Sequence, residues 1–312
     1  MEENSQEEII SIVNSIFEVN NFTKTEFSLE FKIDDIEFKS KFENLARRME
    51  NMSFVCRLEK IDGDKQVTIQ KFTPKKQRKW MSTSWTPRIL FAIVISFVMI
   101  DGYYRTSGTN SIVEIGDPLE MAGIYTLSLL GILGIHELGH ILAAKAHGLK
   151  TTWPYFIPGL PVIGIPTFGA FIQSKGLTIN RDILFDVAIA GPIAGLIIAI
   201  IVSMFGALTS PVIDNVLADE LYSESQLMKM NLPIFMTVSL EIFDKGGDGT
   251  HVIMSPIFFA AWIGFLITFL NLLPAWQLDG GHMARSLFGK KWHKIATYAS
   301  MGVLALLGYW FM

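Results

Sequence analysis

The pentapeptide His136-Glu137-Leu138-Gly139-His140 has the residue types and the spacing of a metal-dependent hydrolase site. Positions i and i+4 of an α-helix are about 400° of rotation apart, so His136 and His140 project from nearly the same side and can bind one metal ion. Glu137 stands beside them, where its carboxylate can take a proton from a metal-bound water. Zinc lowers the pKa of such a water from about 15.7 to about 7, so this combination predicts hydrolysis at neutral pH.

The residues around this motif are apolar on both sides, since the segment reads LSLLGILGIHELGHILAA. A central charge on a membrane-spanning helix costs about 2.5–3.5 kcal/mol on insertion scales, so ionisable side chains at such a place need a function or a partner. The alternative is a polar cluster that only joins helices. We favour the metal site over that alternative.

A zinc site with two histidines requires a third protein ligand and one open position. Asp279, in the segment NLLPAWQLDGGH at 271–282, is the best candidate, because Pro274 interrupts the preceding apolar span and lets the chain turn back at the depth of the site. His282 is a second candidate. From these residues alone, a simple Asp-Gly turn at the end of a helix is an equally good interpretation.

The composition predicts two domains. Of the 312 residues, 50% are hydrophobic and 18% are charged, whereas average soluble domains contain about 25% charged residues. The apolar excess begins near residue 80, so we predict a small α+β soluble domain at 1–80 and an all-α, membrane-embedded domain at 81–312. The net charge of −4, without a basic patch among aromatic residues, argues against nucleic-acid binding. Cys56 is the one cysteine, and its alternating segment indicates a packed strand residue.

The N-terminal domain is predicted to have the order α-β-α-β-β. Apolar residues recur at helical spacing over 6–20 and 36–52, and 25–34 alternates like a strand. Two further alternating segments flank Asp62-Gly63, which predicts a hairpin. The domain contains no cluster of metal ligands, so we expect a regulatory or substrate-facing module.

Five apolar segments have a length that crosses a bilayer, which takes about 20 residues. They lie at 87–104, 119–146, 182–208, 253–274 and 294–312. Basic residues precede the first span and follow the second, whereas 209–250 is acidic, so the positive-inside rule places the N-terminal domain in the cytoplasm and 209–250 outside. We expect a multi-pass protein of the cell membrane whose first span directs its insertion.

Residues 152–175 are apolar but interrupted by four prolines and three glycines. Irregular backbone at membrane depth is tolerated only against protein or a cavity. The segment from Thr167 onward has strand-like composition, and a protease must hold its substrate extended. We therefore predict a re-entrant hairpin beside the metal, in which Gly169, Ala170 and Phe171 bind the substrate by adding it as a β-strand.

The paired motifs HELGH at 136–140 and NLLPAWQLDGGH at 271–282 resemble those of the site-2 protease family of intramembrane metalloproteases. The segments PTFGAFIQ at 166–173 and FDVAIAGPIAG at 185–195 are similar to the branch typified by the ethylene-dependent gravitropism-deficient and yellow-green proteins. The resemblance extends from about residue 30 to residue 290.

This resemblance implies one zinc ion per chain, with His136, His140 and Asp279 as its ligands and Glu137 as the general base. It also implies a role for Asn271, whose amide could hydrogen-bond a substrate carbonyl or the developing oxyanion. A helix–helix hydrogen bond is an equally good interpretation of that amide.

The segment GPIAG, from Gly191 to Gly195, has small residues four positions apart. Such a face lets a neighbouring helix approach closely, so we predict a packing role for it.

Three functions compete for this sequence: an endopeptidase that cuts membrane-spanning proteins, a transport protein that uses zinc structurally, and a proteolytically inactive relative that binds membrane proteins. The intact ligands and Glu137 oppose the inactive relative. Five spans without an internal repeat oppose a carrier, since many carriers are built from repeats. We therefore predict an intramembrane zinc metalloendopeptidase whose partners are transmembrane substrates and the lipid bilayer. The sequence leaves open whether the chain forms a homo-oligomer.

Overall fold

The computed structural model describes residues 3–25, 27–35, 37–61, 63–72, 85–162, 164–172, 180–224, 227, 230–247 and 249–310. The chain divides into two compact units, 1–82 with 174–183 and 83–173 with 184–312.

In its described residues, the first unit contains one antiparallel sheet and two helices. In chain order these elements are α1 (Glu3–Ile16), β1 (Val19–Lys24), β2 (Ser28–Ile33), α2 (Phe38–Asn51), β3 (Phe54–Ile61) and β4 (Asp64–Lys71). The strands lie in the order β1-β2-β4-β3 across the sheet. The predicted hairpin is confirmed, because Ile61 of β3 pairs with Asp64 of β4, although Asp62 of its turn lies outside the described residues.

Strand β1 is absent from the predicted order α-β-α-β-β. The helix predicted over 6–20 ends at Ile16, and Val19–Lys24 pairs with β2 instead. Five of the six residues of β1 are exposed, so the strand has no alternation of buried and exposed positions. Its extended conformation comes from hydrogen bonding to β2, which sequence periodicity does not report.

The core of the first unit forms mainly from one face of each helix and of strands β2, β3 and β4. Helix α2 buries Phe42, Leu45 and Met49, which follow one another at helical spacing. Cys56 packs against this core from β3, and burial raises the pKa of its thiol to about 12. The thiol is therefore protonated at neutral pH, which agrees with the packed strand residue predicted from the sequence.

The second unit is mainly helical. Its described elements are α3 (Trp85–Asn110), α4 (Pro118–Ala146), β5 (Tyr155–Pro158), β6 (Thr167–Phe171), α5 (Arg181–Thr209), β7 (Val212–Asp214), α6 (Asn215–Ser223), α7 (Ile234–Ile242), β8 (Thr250–Val252), α8 (Pro256–Leu272) and α9 (Asp279–Trp310). The first three residues of α5 belong to the first unit. Within the described ranges, α3, α4 and α5 are long enough and apolar enough to cross a membrane.

The other two predicted spans have a different form. Helix α8 is apolar and has 17 residues, or about 26 Å at 1.5 Å per residue, which is the lower limit for a span. Helix α9 is kinked at Gly289, whose φ of 80° lies outside the helical region. The count of five spans therefore stays a prediction.

The first span extends further than predicted. Its apolar run ends at residue 104, yet α3 continues to Asn110. Arg105, which follows the span predicted at 87–104, is thus a helical residue. Its guanidinium Nε donates to the carboxylate of Asp101, one turn earlier, at 2.6 Å. This pairing lets the helix continue past a charged residue.

Helix α4 is held in the middle of this unit by contacts with α3 and α8. It begins where Asp117 caps it, accepting hydrogen bonds from two backbone N–H groups, and Pro118 takes the first helical position. Tyr125 and Leu129 of α4 are fully buried against Val98 of α3 and Ile263 of α8. This packing fixes the helix that carries the HELGH motif.

Strands β5 and β6 form the antiparallel hairpin that residues 152–175 predict. Tyr155 pairs with Phe171, and Phe156 pairs with Ala170. Phe156 is buried in the same apolar core as the faces of α3, α4 and α8. The hairpin is therefore part of the helical unit, while its re-entry into a bilayer stays a prediction.

Candidate metal centre

Two histidines of α4 and the first residue of α9 converge on one point. Nε2 of His136 and Nε2 of His140 are 3.2 Å apart, and Oδ2 of Asp279 lies 3.3 Å from each of them. Among the described residues, these three form the one group of potential ligands whose atoms all lie within 4.8 Å of one another. His282, the second candidate from the sequence, does not belong to this group.

This triangle of donor atoms fits a zinc ion. A tetrahedral site with bonds of about 2.0–2.1 Å has neighbouring ligand atoms about 3.3–3.4 Å apart. The three observed separations of 3.2–3.3 Å match that spacing. Two nitrogens and one carboxylate oxygen are also a common ligand set for catalytic zinc, which keeps its fourth position open for water or substrate.

The two histidines reach one point because of their helical spacing. His136 and His140 are four residues apart on α4, and their rings meet edge to face with centroids 5.0 Å apart. His136 is 4% exposed. The helical spacing of the motif therefore acts as the sequence predicts.

The connection between α8 and α9 places Asp279 next to the two histidines. Helix α8 ends at Leu272, and α9 starts at Asp279 itself. A Cβ at the next residue, Gly280, would lie only 2.0 Å from the Leu272 carbonyl oxygen. Glycine at this position lets the start of α9 fold back against the end of α8, and this brings the Asp279 carboxylate to the histidines.

A backbone carbonyl of α5 orients one of the imidazoles. Nδ1 of His140 lies 2.7 Å from the carbonyl oxygen of Val187. An Nδ1–H that donates to this carbonyl leaves Nε2 unprotonated and directed at the triangle, as a metal ligand requires. A main-chain contact of this kind has no signal in the sequence, and the sequence analysis missed it.

The GPIAG face of α5 packs directly on the two histidines. A Cβ at Gly191 would lie 2.2 Å from Nε2 of His140, and one at Gly195 would lie 2.9 Å from Nδ1 of His136. The spacing of the small residues predicts close packing, and the structure shows that their packing partners are the two histidines. The imidazoles occupy the space that larger side chains on α5 would fill.

Glu137 and Asn271 complete the immediate surroundings of the triangle. Glu137 is 6% exposed and lies close enough to both histidines and to Asp279 to interact with them electrostatically. The side-chain amide nitrogen of Asn271, in the last turn of α8, is 3.4 Å from Nε2 of His136. Both side chains therefore lie beside the triangle, and their roles as a base and a substrate-binding amide stay predictions.

The predicted substrate-binding segment lies close to the helix that carries Asn271. Gly169 of β6 has a φ of 91°, and a Cβ there would lie 3.7 Å from the Ile267 side chain of α8. Asn271 follows Ile267 by four residues, so both lie on one side of α8. Gly169, Ala170 and Phe171 all belong to β6, which forms a sheet of two strands with β5.

Comparisons with known proteins agree with this chemistry. Residues 124–311 match the sequence profile of Peptidase family M50. The chain is 35% identical, over 181 residues, to probable zinc metalloprotease EGY2, chloroplastic, of Arabidopsis thaliana; the match covers 56% of this chain and 30% of that relative. It is 34% identical, over 187 residues, to probable zinc metalloprotease EGY1, chloroplastic, of the same plant, covering 58% of this chain and 33% of the relative.

A relative from rice shows the same degree of similarity. Probable zinc metalloprotease EGY2, chloroplastic, of Oryza sativa subsp. indica is 34% identical over 201 residues, which is 62% of this chain and 34% of that relative. The chain spans about a third of the length of the curated relatives it matches. No solved structure matches the chain significantly.

The contact between α5 and the imidazoles leads to a test of the metal centre. Gly191→Ala places a methyl group on the His140 ring, so we expect the ring to be displaced and zinc affinity to fall by about tenfold or more. Elemental analysis of the purified protein under zinc-buffered conditions measures the effect. Gly134→Ala is the matched control, because a Cβ on that α4 residue meets nothing within 4 Å. Equal zinc content in the two variants would contradict the packing described here.

Proposed function

Because the chain belongs to peptidase family M50, the site-2 protease family, we propose that it is an intramembrane zinc metalloendopeptidase that hydrolyses peptide bonds of membrane-spanning proteins. The observation that carries this proposal is the triangle of His136, His140 and Asp279, with the buried Glu137 beside it. The triangle combines ligands from α4, a helix long enough to cross a membrane, with one from the start of α9.

We propose that His136, His140 and Asp279 hold one zinc ion per chain. The equal separations of their donor atoms and the names of the relatives, which are zinc metalloproteases, support this. When bound, zinc supplies a Lewis acid that lowers the pKa of a water molecule and polarises the substrate carbonyl. The Val187 carbonyl keeps His140 in the tautomer that binds metal.

Glu137 acts as the general base in this proposal. Its carboxylate accepts a proton from the attacking water and then passes it to the nitrogen of the departing amine. One water molecule thus converts the peptide bond to a carboxylic acid and an amine, which exchange a proton to become a carboxylate and an ammonium group. The burial of Glu137 beside both histidines supports this role, because a carboxylate shielded from bulk water interacts strongly with charges that develop near it.

Asn271 stabilises the reacting carbonyl in this proposal. Its amide nitrogen lies 3.4 Å from Nε2 of His136, which is also one of the three proposed ligand atoms. A ring nitrogen that donates its lone pair to a metal cannot accept a hydrogen bond as well. The amide is then available to donate to a substrate oxygen rather than to join α8 to α4.

Strand β6 holds the substrate in extended form in this proposal. In the described part of the chain, β6 pairs with β5 along one edge and with no strand along the other. An extended peptide can add to such an edge through backbone hydrogen bonds. A Cβ on Gly169 would lie 3.7 Å from Ile267, one turn before Asn271, and this proximity supports a substrate path from β6 toward the metal centre.

The proposed setting is a multi-pass protein with five spans and a re-entrant β5–β6 hairpin. Its N-terminal domain, 1–80, lies in the cytoplasm, and the protease domain is 81–312. The three apolar helices and the charge pattern support membrane insertion in this orientation. The names of the curated relatives place those proteins in chloroplasts, whereas we propose the cell membrane for this chain. Its substrates are then cut near their cytoplasmic ends.

The role of Glu137 is tested by the isosteric change Glu137→Gln. We expect zinc to stay bound and turnover to fall by about 10²–10⁴-fold, because the proton acceptor is lost while the ligands remain. Hydrolysis of fluorescein-labelled β-casein, an unfolded protein, and metal analysis of the same samples measure both quantities. A chelated wild-type sample provides the baseline. Near-normal hydrolysis by the variant would refute the mechanism and favour a structural role for the metal.

The third ligand is tested by comparing Asp279→Ala with His282→Ala. Asp279→Ala removes one of the three converging donor atoms, so we expect zinc to be lost and hydrolysis with it. His282→Ala is the matched control on the same helix and is expected to retain zinc. The reverse pattern would show that His282, rather than Asp279, binds the metal.

The substrate edge of β6 is tested by two neighbouring prolines, Ala170→Pro and Phe171→Pro. Each removes one backbone N–H, and successive residues of a strand direct these groups to opposite edges. One variant therefore loses an N–H on the outer edge of β6, the edge that does not pair with β5. The other variant loses an N–H that faces β5. We expect the outer-edge variant to retain zinc and lose β-casein hydrolysis. If both variants hydrolyse β-casein normally, β6 does not bind substrate through its backbone.

A further inference from the structure

An ion pair with a buried carboxylate lies on α3, apart from the three proposed metal ligands. Asp101 is fully buried, and its Oδ2 accepts a hydrogen bond from Nε of Arg105 at 2.6 Å. We propose that Asp101 and Arg105 are positioning residues that hold the turn of the β5–β6 hairpin, and thereby set where β6 presents its edge to the substrate. This inference rests on the proposed function of β6.

Asp101 gathers donors from three parts of the unit. Besides Arg105 of its own helix, the Tyr125 hydroxyl of α4 donates to Oδ2 at 2.7 Å, and the backbone N–H of Val162 donates to Oδ1 at 2.8 Å. Val162 belongs to the turn between β5 and β6. The carboxylate therefore joins that turn to two helices that are long enough to cross a membrane.

Arg105 holds the other side of the same turn. One of its Nη atoms lies 3.4 Å from the carbonyl oxygen of Gly164, and its guanidinium carbon lies 3.6 Å from the centre of the Phe259 ring of α8. The pair thus contacts the turn at Val162 and at Gly164 and connects it to α8. Each charged group is compensated by its partner and by further contacts, as a charge away from water requires.

The backbone conformation of the turn indicates that contacts from other residues must restrain it. Val162 has a φ of 71°, a left-handed conformation that a β-branched residue rarely adopts. Conformations of this kind persist where the surroundings enforce them. The hydrogen bond from the Val162 N–H to Asp101 is a contact that enforces it here.

The restraint on the turn is transmitted along the hairpin to β6. Beyond the paired strands, the N–H of Leu160 donates to the Ile165 carbonyl at 2.9 Å, and the N–H of Gly159 donates to the Pro166 carbonyl at 3.0 Å. These bonds extend the ladder up to the turn, so the turn and β6 move together. Within the strands, Phe156 of β5 and Ala170 of β6 pack in the apolar core of this unit. The hairpin is therefore held at its turn by Asp101 and Arg105 and along its strands by this core.

The test measures the mobility of the turn and the hydrolysis reaction in separate assays. In a Cys56→Ala background, which has no other cysteine, Leu160→Cys carries a nitroxide label at a residue that is 59% exposed. Electron paramagnetic resonance then reports the mobility of the turn. Zinc content, together with KM and kcat for fluorescein-labelled β-casein, reports the metal centre and the substrate site in the same protein.

We expect Asp101→Asn to increase the mobility of the label and to raise KM by about tenfold or more, with zinc content unchanged and kcat altered less than KM. Thr106→Val is the matched control. Thr106 is also fully buried on α3, but its hydroxyl donates to the Gly102 carbonyl of its own helix. This control is expected to leave the label and KM unchanged.

If purified Asp101→Asn lacks zinc, Arg105→Lys is used instead to test whether the pair holds the turn. Lysine keeps the charge beside Asp101 but lacks the planar group that reaches Gly164 and Phe259, so we expect an intermediate gain in mobility and in KM. An immobile label and an unchanged KM in a folded variant of the pair would overturn the inference. Failure of the wild-type protein to hydrolyse β-casein would refute the proposed function alone, since the label still reports whether the pair holds the turn.

Discussion

The whole helical unit depends on one constraint: ionisable side chains within apolar helices must be paired. An uncompensated charge in hydrocarbon is costly, so each such side chain requires a partner. His136 and His140 of α4 lie next to Asp279 of α9, and Asp101 of α3 pairs with Arg105 of its own helix and with the Tyr125 hydroxyl of α4. The contacts between helices therefore include these polar pairs as well as apolar packing.

At the candidate metal centre, the side chains that α5 packs against are the same histidines that are proposed to bind the metal. The small residues of α5 allow close approach, and the groups that approach are the two imidazoles. The same helix supplies the Val187 carbonyl that orients His140. A change that enlarges a residue on this face alters the geometry of the ligands, although the residue itself carries no chemical group. Helix α5 is thus part of the site without contributing a ligand.

Much of this arrangement could be predicted from sequence, and the exceptions have physical causes. The hairpin of residues 152–175 was predictable because prolines, glycines and strand-like composition are local signals. Strand β1 was not, because its extended form comes from pairing with β2 and not from its own periodicity. Arg105 lies outside the predicted span because the apolar residues end at 104. Its pairing with Asp101 requires one continuous helix through both residues, and apolar patterning does not report such a pairing.

The sequence by itself determined the two histidines, their helical spacing, the adjacent glutamate and the family, because these depend on residues close together in the chain. For the third ligand it favoured Asp279, which the family resemblance also implies, and kept His282 as a second candidate. The tertiary structure brought Asp279 to within 3.3 Å of both histidines and left His282 outside that group. The structure was needed because residues about 140 positions apart along the chain meet only through the packing of α4, α5 and α8, and no local pattern records such a meeting.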